Sequence, residues 1–198
     1  MTGARPADQR GFTLVELITT MAILGIVLTG VTTLFVSGTK AQTDLDNRFQ
    51  AQTELRVGLD KLRKDIHVAC SGVDSSGTAL VDGSTYSSVT LYLPTACDST
   101  NAITWCTQGS GTRYGLYRAT GTSCTGATRY ADYLTTGSVF TYHGYNYQAQ
   151  AGVYSYSLAR LHVNLPDNVK GSGTDTYTLA DDIVFRNSPR CTVGTDCP

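Results

Sequence analysis

The chain has 198 residues, which is enough for one ordinary domain and an additional anchoring element. Charged residues make up 16% of it and the formal net charge is −1, so the broad basic surface of a nucleic-acid-binding protein is not indicated. The 20 glycines, with frequent serine and threonine after residue 70, are typical of short strands joined by turns.

The beginning of the chain changes abruptly from polar to apolar. Residues 1–11 carry Arg5, Asp8 and Arg10, whereas residues 17–36 contain no charged side chain. Twenty residues in a helix span the ~30 Å of a bilayer core. Because basic residues favour the cytoplasmic side, the two arginines predict a cytoplasmic N-terminus and an exported remainder.

Two other interpretations explain the same apolar segment. A secretory signal peptide also begins with a basic flank, but its apolar core is usually ~7–15 residues long and ends at a small-residue cleavage site. The apolar run here is longer, and it continues without a proline into a strongly helical sequence. The other alternative is an unprocessed single-pass anchor of an exported protein with some different function.

Glu16 stands at the margin of the apolar run, where a carboxylate costs free energy unless it has a partner or a function. The residues around it, from Arg10 to Leu17, read RGFTLVEL. They resemble the processing site of type IV prepilins and pseudopilins. In that family a short basic leader and a glycine precede an aromatic or apolar residue, and Thr-Leu-apolar-Glu then opens an apolar helix. The match here includes every one of these positions.

The resemblance implies both a processing step and an assembly step. A prepilin peptidase would cut between Gly11 and Phe12 and methylate the new amino group of Phe12. Glu16 would pair with the N-terminal amine of a neighbouring subunit in a filament. The implied partners are this peptidase, other pilin or pseudopilin subunits and the inner-membrane assembly platform. Many pilins have a kinking proline about twenty residues into the mature chain, where this chain has Thr32 and Thr33.

The threonines and glycines of the apolar run have two interpretations. The threonines lie at positions 19, 20, 29, 32 and 33, and the glycines lie at positions 25 and 30. Small residues of this kind allow close approach between helices in a membrane. Alternatively, an apolar anchor tolerates them without using them.

Residues 44–69 become polar but keep a helical period. One face carries Leu45, Phe49, Gln52, Leu55, Leu59, Leu62, Ile66 and Ala69. The other positions include Asp46, Arg48, Arg56, Lys61, Lys64 and Asp65. The pattern predicts an amphipathic helix that packs on a core, continuous with the apolar helix because no proline intervenes. A coiled-coil dimer is the alternative, although it would have only three to four heptads.

Short runs of alternating apolar and polar residues after residue 70 predict an antiparallel sheet. The clearest runs are residues 88–93 and 160–165, each ended by a proline, Pro94 and Pro166. Weaker runs lie at residues 115–118, 139–142, 178–179 and 183–185, the last two around Asp181 and Asp182. The order of the closing strands resembles the minor-pilin and pseudopilin subgroup often called PilW-like or J-type.

All six cysteines follow the apolar run. They are Cys70, Cys97, Cys106, Cys124, Cys191 and Cys197. An even number on one side of a membrane segment favours disulfides in an oxidising compartment, although fifteen pairings are possible. A zinc site is disfavoured, because there is no C-x-x-C pair and only three histidines are available as imidazole ligands. They are His67, His143 and His162.

Two cysteine pairs are close in sequence, Cys97 with Cys106 and Cys191 with Cys197. Each could close a short loop, and the second resembles the C-terminal disulfide loop of many pilins. Pairing of Cys124 with Cys106 or with Cys70 is also open.

Ligand binding and catalysis have little support in the sequence. Tyrosines at positions 142, 145, 147, 154 and 156 could stack on sugars or bases, but half-buried positions in strands are the favoured explanation. Residues 167–175 contain oxygen donors that could suit calcium, yet their spacing fits no EF-hand and a turn is favoured. Metalloprotease, hydrolase and P-loop motifs are absent. We therefore expect no enzymatic activity, no cofactor and no metal, and we regard nucleic acid as an improbable ligand.

The sequence thus predicts an α+β protein. Its expected divisions are a leader at residues 1–11, a transmembrane and filament-core helix at 12–36, an amphipathic continuation at 37–69 and a β-rich head at 70–198. Its expected function is that of a minor pilin or pseudopilin in a type IV pilus, competence pilus or type II-like secretion filament. A filament-displayed adhesin or DNA-capture subunit and a plain anchored exported protein are the alternatives.

Overall fold

The computed structural model describes residues 12–94, 100–144, 146–150, 153–157, 159–169 and 176–187, with only the backbone for 146–150 and 153–157. Several predictions therefore lie outside the described residues. They concern the leader, Gly11, the cysteines Cys97, Cys191 and Cys197, Tyr145, and the side chains of Tyr147, Tyr154 and Tyr156. Two compact units divide the chain, Met1–Asp46 and Asn47–Pro198.

One helix and eleven strands follow one another along the described chain. The helix, α1, comprises Leu14–Val68. The strands are β1 Ser71–Val73, β2 Thr85–Tyr86, β3 Ser88–Tyr92, β4 Ala102–Ser110, β5 Arg113–Thr120, β6 Thr128–Leu134, β7 Phe140–His143, β8 Asn146–Gln150, β9 Val153–Ser157, β10 Arg160–Asp167 and β11 Tyr177–Val184. The α+β fold class is confirmed, and so is the single uninterrupted helix.

The sheet is antiparallel throughout. Its main path runs β1-β3-β4-β5-β6-β10-β7-β2, and β11 pairs with β10, while β8 and β9 form a separate two-stranded sheet. Strand β10 is the junction of the sheet, because it pairs with β11 along its whole length, with β7 over residues 160–163 and with β6 at Asp167. Strand β10, predicted near the end of the chain, therefore lies inside the sheet, with β11 along one edge of it and β7 and β6 along the other.

The second part of α1 supplies one wall of the hydrophobic core. Its buried residues are Ala51, Leu55, Gly58, Leu59, Leu62, Asp65 and Ile66. Leu55, Leu59, Leu62 and Ile66 form a cluster with side chains of the sheet, among which Trp105 and Phe140 are the largest that are fully buried. Each large apolar side chain buried in this way contributes about 1.5–3 kcal/mol, so this face holds the helix against the sheet.

The predicted apolar face of α1 is correct in its second part and wrong in its first. Leu55, Leu59 and Leu62 are buried as expected, but Leu45 and Phe49 are 65% and 73% exposed. Burial along the helix begins only at Ala51. A repeating period shows which residues share a face of a helix, but not how far a partner extends along that face.

Two strands are longer than predicted. Strand β10 continues through Pro166, where the sequence predicted its end. Proline has no N–H to donate, and this is tolerated because Pro166 lies between the β10 residues that pair with β7 and the one that pairs with β6. The Pro166 carbonyl accepts a hydrogen bond from the Thr135 N–H at 3.0 Å. Strand β11 runs as one strand through Asp181 and Asp182, which were expected to separate two runs.

Asp65 is a buried polar group that joins α1 to the sheet. Its Oδ2 accepts a bond from Trp105 Nε1 at 3.0 Å and from Arg118 Nε at 2.7 Å, and Lys61 Nζ lies 3.5 Å from Oδ1. The carboxylate is 7% exposed, so its charge depends on these donors for the solvation that water does not provide. The sequence assigned Asp65 to the solvent face of the helix, and that assignment is wrong.

We expect Asp65→Ala to lower the free energy of unfolding by about 3–5 kcal/mol, because it leaves a buried indole N–H and a partly buried guanidinium without their acceptor. The matched control is Asp60→Ala, one turn earlier on the exposed side, which should cost less than about 1 kcal/mol. Denaturant unfolding of the full chain in detergent, followed by fluorescence of Trp105, the single tryptophan, measures both. Equal losses in the two variants would contradict the assigned role.

Candidate processing and assembly site

The start of α1 is built by the residues that the sequence motif contains. Phe12 is 83% exposed and precedes Thr13, which occupies the N-cap position before the first helical residue, Leu14. The Glu16 N–H donates to the Thr13 Oγ1 at 3.3 Å and to the Thr13 carbonyl at 3.1 Å. Threonine followed three positions later by glutamate is a capping box, and the structure contains the threonine half of it.

The Glu16 carboxylate belongs to the first turn of α1. A negative charge is stabilised there by the helix dipole and by the free N–H groups of the first turn. Among the described residues, no side chain contacts this carboxylate. The arrangement therefore presents an exposed carboxylate four positions after Phe12, and a neighbouring cationic group could bind to it.

The apolar segment that follows is exposed along its whole length. Ile26, Leu34 and Phe35 are 75%, 75% and 71% exposed. By length and composition, α1 includes a segment that could cross a membrane. An apolar surface of this extent is stable only against lipid or other protein, so the segment is suited to a bilayer or a helical bundle.

The threonine hydroxyl groups of this segment donate hydrogen bonds to backbone carbonyls of α1 itself. Thr29 Oγ1 donates to the Gly25 carbonyl at 2.8 Å and Thr32 Oγ1 donates to the Leu28 carbonyl at 2.7 Å. Thr19, Thr20 and Thr33 make equivalent bonds to the preceding turn. These bonds reduce the cost of placing hydroxyl groups in hydrocarbon, which explains how the segment tolerates five threonines.

The comparison with protein families agrees with this geometry. Residues 6–32 match the family model described as the prokaryotic N-terminal methylation motif. The start of the chain therefore carries this motif. No curated protein and no solved structure matches it significantly. The matched residues include Gly11, Phe12 and Glu16, together with the Thr13 cap and most of the apolar segment.

The β-rich part of the chain contains a disulfide between Cys106 on β4 and Cys124 in the β5–β6 turn, with Cα atoms 6.5 Å apart. The pairing of Cys97 with Cys106 is therefore wrong, because Cys106 is already bonded across neighbouring strands. Of the two pairings left open for Cys124, the one with Cys106 is observed and the one with Cys70 is excluded, while Cys70 is itself disulfide-bonded. The expected pair Cys191–Cys197 lies outside the described residues.

The other candidate groups of the head make structural contacts. His67 Nδ1 lies 3.0 Å from the Val184 carbonyl, and His162 Nδ1 lies 3.0 Å from Asp182 Oδ1. Tyr142 is half-buried and packs edge-on against Phe185 at 6.3 Å. Within the described residues, no group of three or more metal-ligating side chains comes together.

Sequence reasoning missed the residues that give this site its local structure. The role of Thr13 as the helix cap was available from the threonine–glutamate spacing, which is a known start signal. The burial of Asp65 and Asp167 had no such signal, because their partners come from strands that are distant in sequence.

The disulfide can be tested by peptide mapping of the unreduced, denatured chain. Chymotrypsin cleaves after Tyr92 and Trp105, so it places Cys97 and Cys106 on different peptides. We expect the peptide with Cys106 to be linked to the one with Cys124, because these two cysteines lie within disulfide reach across β4 and β5. A peptide in which Cys97 is linked to Cys106 would contradict the pairing.

Proposed function

We propose that the chain is a structural subunit, a minor pilin or pseudopilin, of a type IV pilus, competence pilus or type II-like secretion filament. The observation that carries the proposal is the methylation motif at residues 6–32, which includes the start of a long helix with an apolar first part. Proteins with this motif are structural rather than catalytic.

The proposed processing site is the bond between Gly11 and Phe12. A glycine before the cut allows an extended backbone to lie close to the catalytic groups of a peptidase, since it has no Cβ. Phe12 is exposed and precedes the capped end of the helix, so the bond is next to a helix terminus rather than inside a helix. The peptidase would then methylate the amine of Phe12.

The proposed role of Glu16 is to pair with the amine of Phe12 in a neighbouring subunit. A carboxylate and an amine inside a bundle of apolar helices attract each other strongly, because little water screens them. Such a buried pair contributes more to the register of assembly than to net stability, while loss of one partner is costly. Glu16 would thereby set the axial position of each incoming subunit.

The proposed location follows from the same segment. Residues 1–11 form the leader, 12–36 span the membrane before assembly, 37–69 continue the helix and 70–198 form the exported head. Arg5 and Arg10 favour a cytoplasmic N-terminus. The disulfide Cys106–Cys124 supports an oxidising compartment for the head. The partners would be the prepilin peptidase, the assembly platform and other subunits.

The capping box allows the charge of Glu16 to be tested separately from its effect on the helix. Glutamine keeps the size and hydrogen-bonding capacity of a capping residue but carries no charge. We expect Glu16→Gln and Glu16→Ala both to be cleaved normally yet to be lost from sheared filaments by at least roughly tenfold, because neither offers a charge to the amine. Immunoblotting of filament and membrane fractions measures both.

The matched control is Asp46→Asn, which removes a carboxylate from the same helix far from the motif and should leave incorporation unchanged. Normal incorporation of Glu16→Gln alongside loss of Glu16→Ala would show that Glu16 serves only as a cap. Normal incorporation of both variants would contradict any assembly role for this residue.

A further inference from the structure

A small polar notch lies between α1 and β6, away from the processing site. It has a volume of about 140 Å³ and is lined by Asn47, Gln50, Ala51, Glu54, Arg129, Asp132 and Tyr133. Tyr133 adopts a positive φ of 67°, which is a strained conformation for a residue with a side chain. Its carbonyl accepts a bond from the Asn168 N–H at 3.0 Å, which connects β6 to the end of β10.

Asp167, the last residue of β10, lies next to this connection. It is 3% exposed, and its Oδ1 has no hydrogen-bond partner. The backbone N–H of Asn168 favours the ionised form, but burial with one oxygen unpaired opposes it more strongly. The position therefore suits the protonated form of Asp167.

The charges around Asp167 also favour the protonated form. Glu54 of α1 and Asp132 of β6 both oppose a further negative charge. The nearby cations are Arg129 of β6 and Arg113 of β5, and both lie 3.2 Å from the same oxygen of Asp132. On strand β11, the residue paired with Asp167 is Tyr177, which has an uncharged side chain. The arginines are therefore committed to Asp132.

The two aspartates respond to their surroundings in opposite directions. Burial, reinforced by Asp132 and Glu54, raises the pKa of Asp167 to about 6. Burial also opposes ionisation of Asp132, but the Tyr133 N–H and the Arg113 guanidinium outweigh it and hold the pKa of Asp132 below its ordinary value. Asp132 is thus ionised whenever Asp167 titrates.

We propose that Glu54, Asp132 and Asp167 form a proton-binding site that makes the packing of α1 on β6 and β10 depend on pH. With Asp167 protonated, the three carboxyl groups and two arginines carry no net charge and the junction is stable. Ionisation of Asp167 leaves one uncompensated negative charge beside the helix and weakens the junction. This device is independent of the proposed function, since it concerns only the folded chain.

The direction of the effect follows from linkage. The carboxyl binds its proton more tightly in the folded chain than in the unfolded chain, where aspartate titrates near 3.8. The stability that this proton contributes is fully present below about pH 4 and is lost as the pH rises through about 6. An exported head is exposed to pH values in this range when the surroundings are acidic.

The test compares thermal unfolding of the full chain in detergent micelles at pH 5 and pH 7.5, followed by the near-ultraviolet circular dichroism of Trp105. The variant D167N cannot ionise, so its midpoint at pH 7.5 should exceed that of the unmodified chain by roughly 5 °C or more. The advantage should be smaller at pH 5 and should disappear below about pH 4, where the unmodified chain keeps the full stability that its proton contributes. The control variant D60N removes an exposed carboxylate from α1 and should leave the pH dependence of unfolding unchanged.

A direct titration keeps the proposal testable if D167N folds poorly. Carbon-13 NMR of the aspartate carboxyl groups should show one group titrating about 2 pH units above the others, and E54Q should lower its midpoint because one opposing charge is gone. A midpoint for Asp167 near 4 would overturn the proposal. So would identical pH dependence of unfolding in D167N and the unmodified chain.

Discussion

The carboxylate of Asp65 accepts one hydrogen bond from the indole of Trp105 and another from the guanidinium of Arg118. A charge buried to this degree is stable only while both donors stay in place, and the donors come from adjacent strands, β4 and β5. The bond pattern therefore fixes the rotation of α1 about its own axis. With that rotation set, Leu55, Leu59 and Leu62 enter the core, and the Asp60 side chain remains exposed.

Local patterns predicted the parts of the fold that depend on local physics. The helix was predictable because its period and the lack of proline act within a few residues, and β10 because its alternation is regular. Strand β4 was missed, although it carries Trp105 and Cys106, because its side chains are buried continuously over residues 102–106 and show no alternation. The burial of Asp65 and Asp167 depends on partners more than 30 residues away, which no local window contains.

In the candidate site and the disulfide, too, local sequence predicted some features and the structure was needed for others. Gly11, Phe12 and Glu16 were identified from the resemblance of their sequence to prepilin processing sites, and residues 6–32 of the methylation-motif match contain all three. Their individual roles stay predictions. The structure adds that Thr13 and Glu16 also start the helix, so one short sequence both caps α1 and marks the proposed cleavage and assembly positions. The disulfide needed the structure, because cysteine spacing favoured a pairing within one loop rather than one between β4 and the β5–β6 turn.

The central claim is that the chain is processed as a prepilin, and the mass and N-terminal sequence of the protein from its native membrane test it most directly. The account predicts a mature chain that starts at Phe12 and carries a methyl group on its amine, about 14 Da above the unmethylated mass. A chain that retains residues 1–11, or one that is cut after the apolar segment, would contradict the account. Either result would favour an ordinary anchored or secreted protein.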